Sequence, residues 1–126
     1  MLNRFFFHPY PNHHIRTTAF MLSRETMLNV WPSSILTKKS AYLFENGKHS
    51  LTRRVMQMGL KVLVTGRDGQ AYEMNSWHAS NTFRQSRQEN LLVADNQTLQ
   101  YERADYEQRT QLARLSWGDK ANPARA

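Results

Sequence analysis

The sequence predicts an α+β domain: a small antiparallel sheet with helices packed on one face. Three observations carry this. Apolar residues recur at helical spacing behind a serine suited to cap a helix, at Ser50, Leu51, Val55 and Met58. The β-branched run Leu60–Thr65, the turn residues Gly66-Arg67-Asp68-Gly69 and the stretch Gln70–Met74 read as a hairpin. A second strand–turn–strand pattern follows at Leu91–Ala94, Asp95-Asn96 and Thr98–Tyr106. Helices first and hairpins afterwards favour an α+β arrangement over a parallel α/β one.

The elements follow in chain order. Residues 1–30 read as an N-terminal extension. The first 24 contain no acid and include Arg4, Arg16 and Arg24, a composition shared with organelle transit peptides. Pro9 and Pro11 interrupt any long amphipathic helix there. Phe5-Phe6-Phe7 is too short for a secretory apolar segment. Phe20, Met21, Leu28 and Val30 allow a short helix between Thr17 and Val30, stopped at Trp31-Pro32. A single α+β domain is expected over residues 31–117. It starts with a second short helical segment, Ser40–Glu45, closed by Asn46-Gly47. The helix from Ser50 ends at Gly59, where a left-handed residue is wanted. After the first hairpin, Asn75–Gln88 reads as a loop or irregular helix. In the second hairpin Leu99, Tyr101 and Arg103 share one face of the last strand. Glu107–Trp117 allows a short helix, and residues 118–126, with Asn122-Pro123, are expected to fray.

Composition narrows the function classes. A chain of 126 residues suits one compact domain, and 40% hydrophobic with 21% charged residues is not a disordered composition. No cysteine is present, which excludes a disulfide framework and a thiolate zinc site. No apolar run approaches the roughly 18 residues of a membrane span, and a cytoplasmic location is expected. The net charge of +7 is unevenly placed. Residues 1–63 hold nine Lys/Arg and two acids, residues 64–126 eight and eight, so the whole excess lies in the first half. Such asymmetry points to an anionic partner, a tail or a targeting segment.

Among chemical motifs, the sequence contains no phosphate-binding glycine loop, no Gly-x-Ser-x-Gly elbow and no His-Glu-x-x-His helix. His8, His13 and His14 lie in a proline-broken stretch whose spacing does not converge on a metal, so neither metal nor cofactor is expected. Lys38, Lys39, Lys48, Arg53, Arg54 and Lys61 lie near Trp31, Tyr42 and Phe44. Basic residues interleaved with aromatics suit nucleic acid, and a solvated basic face has the same appearance. Arg53 and Arg54 stand early in their helix, where the dipole disfavours cations; a bound anion would relieve this, as would simple exposure to water. Arg103, on the apolar face of a strand, needs water or an anion. A bidentate guanidinium fits a carboxylate ligand, and an ion pair with Glu89 or Glu102 is the alternative.

Three stretches together resemble the chorismate lyase-like superfamily, which includes chorismate pyruvate-lyase and the effector-binding domains of GntR-type repressors. The first is Leu43-Phe44-Glu45 leading into Ser50-Leu51-Thr52-Arg53-Arg54, similar to the family's Ser-Leu-Thr-Arg-Arg helix opening. The second is Leu60–Gly66, similar to the strand after that helix. The third is Gln88-Glu89-Asn90-Leu91-Leu92, Asp95 and Tyr101-Glu102-Arg103. It resembles Arg-Glu-x-Leu-Leu, an Asp-Gly turn and an aromatic two residues before an arginine. The resemblance spans residues 41–106. Gln88 stands where the pattern has arginine, with Arg87 adjacent, and the chain after Tyr106 lacks the family's Pro-Leu-Gly element and acidic last strand.

The resemblance implies a chorismate lyase-like fold and a metal-free lyase that eliminates pyruvate from chorismate to give 4-hydroxybenzoate, a ubiquinone precursor. It also implies Arg103, Arg87 and Thr52 as substrate-binding residues and Glu89 as catalytic acid or orienter. The repressor branch implies instead a non-catalytic module for a small anionic ligand. A basic nucleic-acid-binding module remains the third expectation.

Overall fold

Short polar residues set where each helix starts. The computed structural model describes residues 13–16, 18–31, 37–46 and 50–125, with the backbone alone at 42, 45 and 46. The expected extension before residue 13, with His8, Pro9 and Pro11, lies outside the described residues, as do Pro32, Gly47 and Lys48. The chain forms two compact units that part between Val62 and Leu63.

The first unit holds three helices, α1 (Arg24–Val30), α2 (Lys38–Asn46) and α3 (Leu51–Gln57). Each has a side-chain cap of the kind that satisfies an otherwise orphaned backbone donor. Ser23 Oγ accepts from Thr26 N–H at 3.1 Å. Thr37 and Ser40 cap reciprocally, each hydroxyl accepting from the other's backbone N–H at 3.0 Å. Ser50 Oγ accepts from Arg53 N–H at 3.3 Å. Gly59, with φ +79°, follows α3 in the left-handed region, as the sequence requires. Helix α3 packs against both α1 and α2. Val30, Phe44, Leu51 and Val55 form the core, flanked by Ile15, Leu22, Met27 and Val62. Met58, expected on the apolar stripe, is 43% exposed because α3 ends one residue before it.

The second unit is mixed. Strands β1 (Val64–Thr65) and β2 (Ala71–Tyr72) pair antiparallel, with Val64 opposite Tyr72 and Thr65 opposite Ala71. The first hairpin therefore forms around Gly66–Gly69, but its ladder is shorter than the β-branched run suggests. A 3₁₀ helix, Met74–Ala79, follows, and then helices α4 (Asn96–Arg103) and α5 (Tyr106–Trp117) and a 3₁₀ turn, Gly118–Lys120. The described architecture is thus α+β: helices with a two-stranded antiparallel sheet.

The second expected hairpin is not formed. Leu91–Ala94 is irregular and Thr98–Arg103 is helical. Asp95, read as a turn residue, is the N-cap of α4. Its carboxylate accepts from Thr98 N–H at 2.9 Å, while Thr98 Oγ1 accepts from Asp95 N–H at 2.8 Å. This capping box starts a helix where a strand was expected. Helix formers Gln97, Leu99, Gln100, Glu102 and Arg103 sustain it, and the buried pair is Thr98 and Tyr101, at i and i+3. Asp105 caps α5 through a single bond, its carboxylate accepting from Gln108 N–H at 2.9 Å. The tail expected to fray is tied in: Ser86 N–H donates to Asn122 O at 2.7 Å and Ala124 N–H to Ser86 O at 3.3 Å.

Between Ser80 and Asn90 the chain has almost no regular structure, yet Ser80, Thr82, Gln85, Gln88 and Asn90 are buried. Asn81, Arg84, Ser86 and Gln88 all have φ near +50°, a conformation that costs about 1 kcal/mol per non-glycine residue. Side-chain amides offset that cost. Gln85 Nε2 donates to His78 O and Lys120 O, both at 2.8 Å, and its Oε1 accepts from Asn122 N–H at 2.6 Å. Gln88 Nε2 donates to Thr98 O and its Oε1 accepts from Arg84 N–H. Asn90 Nδ2 donates to Ser80 O, and its Oδ1 accepts from Asp68 N–H at the hairpin turn. A Cβ on Gly66 would overlap the Asn90 amide, so only glycine fits there.

Gln85 is the sharpest test of this loop. Gln85→Glu keeps the shape but replaces a donor to two carbonyls with an acceptor. Urea unfolding followed by the fluorescence of buried Trp77 and Trp117 should show a loss of about 3 kcal/mol. A variant within about 0.5 kcal/mol of the parent chain would show that the amide does not hold the loop.

Candidate functional site

The site residues implied by the resemblance are divided between the two units. Thr52, the second residue of α3, is buried, and its Oγ1 accepts from Ile15 N–H at 2.7 Å. The hydroxyl thus ties residues 13–16 to α3 through one of its two lone pairs. Arg54 Nη1 donates to Val30 O, the last carbonyl of α1, at 2.8 Å. Of the two arginines that open α3, one therefore closes a neighbouring helix and the other, Arg53, is exposed.

Arg87, Glu89 and Arg103 lie in the second unit, and all three are exposed. Glu89 Oε2 accepts from Arg87 backbone N–H at 3.0 Å, which fixes the carboxylate beside the turn. Arg103 occupies the last turn of α4, where a cation complements the helix dipole. The expected placement of Arg103 on the apolar face of a strand is therefore corrected. On a helix, the burial goes to Thr98 and Tyr101 and Arg103 faces solvent. Gln88, at the position where the family pattern has arginine, is buried and spends both amide atoms on the backbone.

The residue that sequence reasoning missed is Arg109. Its guanidinium donates to Tyr101 O at 3.2 Å, Glu102 O at 2.9 Å and Ala124 O at 3.0 Å, and lies 5.3 Å from the Tyr101 ring centroid. It thus closes the C-terminal end of α4 and holds the tail, with a cation–π contact beneath. Its place three residues into α5, on a polar stretch, gave no sequence signal.

Tyr101 is the pivot of this cluster. Its hydroxyl donates to Ser86 O at 2.6 Å. Burial pushes its ionisation above the ordinary tyrosine value, against smaller opposing effects of the Ala124 backbone hydrogen bond and the Arg109 charge. A second pair stabilises the hairpin. Tyr72 Oη donates to Asp68 Oδ2 at 2.6 Å. That bond, helped by Gln70 N–H, holds the Asp68 carboxyl below the usual carboxylate range and raises Tyr72.

None of the four implied site residues lines the shallow, open depression formed by Arg114, Gly118, Asp119 and Ala121. Among the described residues, no three His, Asp or Glu side chains gather where they could hold a metal ion, and no helix is long and apolar enough to cross a membrane. No protein-family model matches this chain, and no curated protein or solved structure is significantly similar to it.

The raised tyrosine ionisations predict a fold that loses stability in alkali. Both have folded-state ionisation raised above 10.0, so their contribution is complete below about pH 10 and is lost as pH rises through the folded values. Melting temperature measured across that range should fall for the parent chain. Tyr101→Phe should flatten the fall, with Tyr72→Phe removing a further part. An unchanged slope in Tyr101→Phe would show that Tyr101 ionisation does not drive it.

Proposed function

We propose that this chain is a chorismate pyruvate-lyase-like protein that takes a small carboxylate anion and acts in the cytoplasm. The supporting observation is the local order over residues 50–65. Ser50-Leu51-Thr52-Arg53-Arg54 opens a helix with Ser50 as its cap, and Gly59 ends it in the left-handed region. The chain then leads into β1. This is the helix-then-strand order that the resemblance implies for those same residues, and the finer chorismate lyase-like fold belongs to this proposal.

In the catalytic reading the reaction is an elimination. The ring carbon–oxygen bond to the enolpyruvyl group breaks, and a proton leaves the neighbouring hydroxyl-bearing ring carbon. The ring becomes aromatic as 4-hydroxybenzoate, and the enol takes up a proton to become pyruvate. Atoms balance without water or an oxidant. Arg103 and Arg87 would hold carboxylates by paired N–H bonds, and Glu89 would manage the proton.

One observation favours the second reading, a non-catalytic module for a small anion. Arg87, Glu89 and Arg103 are exposed. Elimination gains from a site that excludes water, where charges act strongly, whereas exposed arginines suffice for modest binding.

Incubation of the purified chain with chorismate, with chromatographic detection of 4-hydroxybenzoate, separates the two. Catalysis predicts product above the spontaneous rate, reduced about tenfold or more by Arg103→Ala. Thermal stabilisation by chorismate or 4-hydroxybenzoate without product supports the non-catalytic module. Neither product nor stabilisation, with the chain folded, overturns both.

A further inference from the structure

The boundary between the units is also a boundary of charge. By sequence, residues 13–62 carry eight Lys/Arg and two acids, while residues 63–126 carry eight and eight. The excess of positive charge therefore falls in the stretch of sequence that forms the first unit. Its two acids, Glu25 and Glu45, are both on helices α1 and α2. Exposed Arg24, Lys38 and Arg53 stand one on each helix, and α3 packs against the other two. Such a density of one sign has no counterpart in the neutral second unit and sets up an attractive field for a polyanion.

The tryptophans sort in the same way. Trp77 and Trp117 are 5% and 7% exposed, and each indole N–H donates to a backbone carbonyl. Trp31 is 55% exposed. It leaves the end of α1 in extended backbone, and its ring meets Phe44 edge-on, with centroids 5.8 Å apart and planes at 65°. Edge-on packing anchors the indole while leaving ring surface to solvent. A large exposed aromatic anchored in a unit rich in lysines and arginines is the combination that single-stranded nucleic acid uses: phosphates meet the cations and a base stacks on the ring.

We propose that the N-terminal unit binds single-stranded nucleic acid, with Arg24, Lys38 and Arg53 meeting phosphates and Trp31 stacking on a base. A duplex, whose bases are already stacked, and an anionic membrane offer charge but no free base. They are weaker ligands on this account. The inference is independent of the exposed carboxylate candidates Arg87, Glu89 and Arg103, which belong to the other unit, and it does not use the buried Thr52.

The test uses the full chain and fluorescently labelled oligouridine and oligodeoxythymidine about a dozen nucleotides long, a length within the site sizes of such grooves. Anisotropy titrations should give binding whose logarithm falls linearly with log salt, by about 0.7 per phosphate neutralised. Trp31 emission should be quenched on binding, because the two other indoles are buried. Arg53→Glu should weaken both oligomers. Trp31→Ala should weaken them roughly tenfold while leaving heparin binding unchanged, and Trp31→Phe, which keeps a ring against Phe44, should restore part of the loss. Circular dichroism of each variant checks that it is folded. No binding at low salt would overturn the proposal. So would equal binding of duplex and single strand, unaffected by Trp31→Ala, or binding of phosphatidylserine vesicles alone.

Discussion

The second unit depends on buried neutral amides acting where regular secondary structure is missing. Between Ser80 and Asn90 the backbone has left-handed turns at four non-glycine residues and only an isolated bridge to the tail. Its N–H and C=O groups still need partners, since each buried unpaired group costs about 1–3 kcal/mol. Gln85, Gln88 and Asn90 supply both donors and acceptors to chain segments far apart in sequence. The indole of Trp117 donates to Phe83 O and the phenol of Tyr101 to Ser86 O. Amides suit this work because one side chain offers both polarities without the desolvation cost of a charge. A carboxylate at Gln85 would face two carbonyl oxygens, and an apolar residue would leave three backbone groups bare.

Arginine does complementary work at helix ends. Arg54 closes α1 through Val30 O, and Arg109 closes α4 through Tyr101 O and Glu102 O. In both cases a cation meets the negative end of a helix that its own helix packs against. These bonds explain why two of the arginines in the chain are not available as ligand-binding groups, although nothing in their sequence context distinguishes them from Arg53 or Arg103. The guanidinium fork lets one side chain reach several carbonyls at once, a role an equally charged lysine would fill poorly.

The local chemistry of the first unit was legible because it is written in short-range signals. Ser50 before Leu51 and Val55, and Gly59 after them, specify a helix and its end within ten residues, and the structure has both. The turn at Gly66–Gly69 was legible for the same reason. Asp95 misled because an aspartate before a polar residue serves a hairpin turn or a helix cap equally well. The choice between them rested on Thr98, whose hydroxyl completes the capping box. The alternation of Leu99, Tyr101 and Arg103 suggested a strand, whereas only Tyr101 of those three is buried. The amide network was illegible in principle: Gln85 meets Lys120 and Asn122 across 35 residues or more, and no local pattern announces such a partner.

This division of labour bears on how the candidate carboxylate site should be interrogated. The forces that shape its loop are uncharged and come from buried side chains, while Arg87 and Arg103 project from that framework into solvent. Their guanidinium groups can therefore be removed without taking away a bond that holds residues 80–90 together, whereas Glu89 also accepts the Arg87 N–H. Loss of ligand response in arginine variants consequently reports on recognition, and the same loss at Glu89 mixes recognition with turn geometry. Thr52 is the opposite case: its hydroxyl already ties residues 13–16 to α3, so its removal tests the packing of the basic unit before it tests any ligand. The two arginines are the positions at which chemistry and fold separate most cleanly.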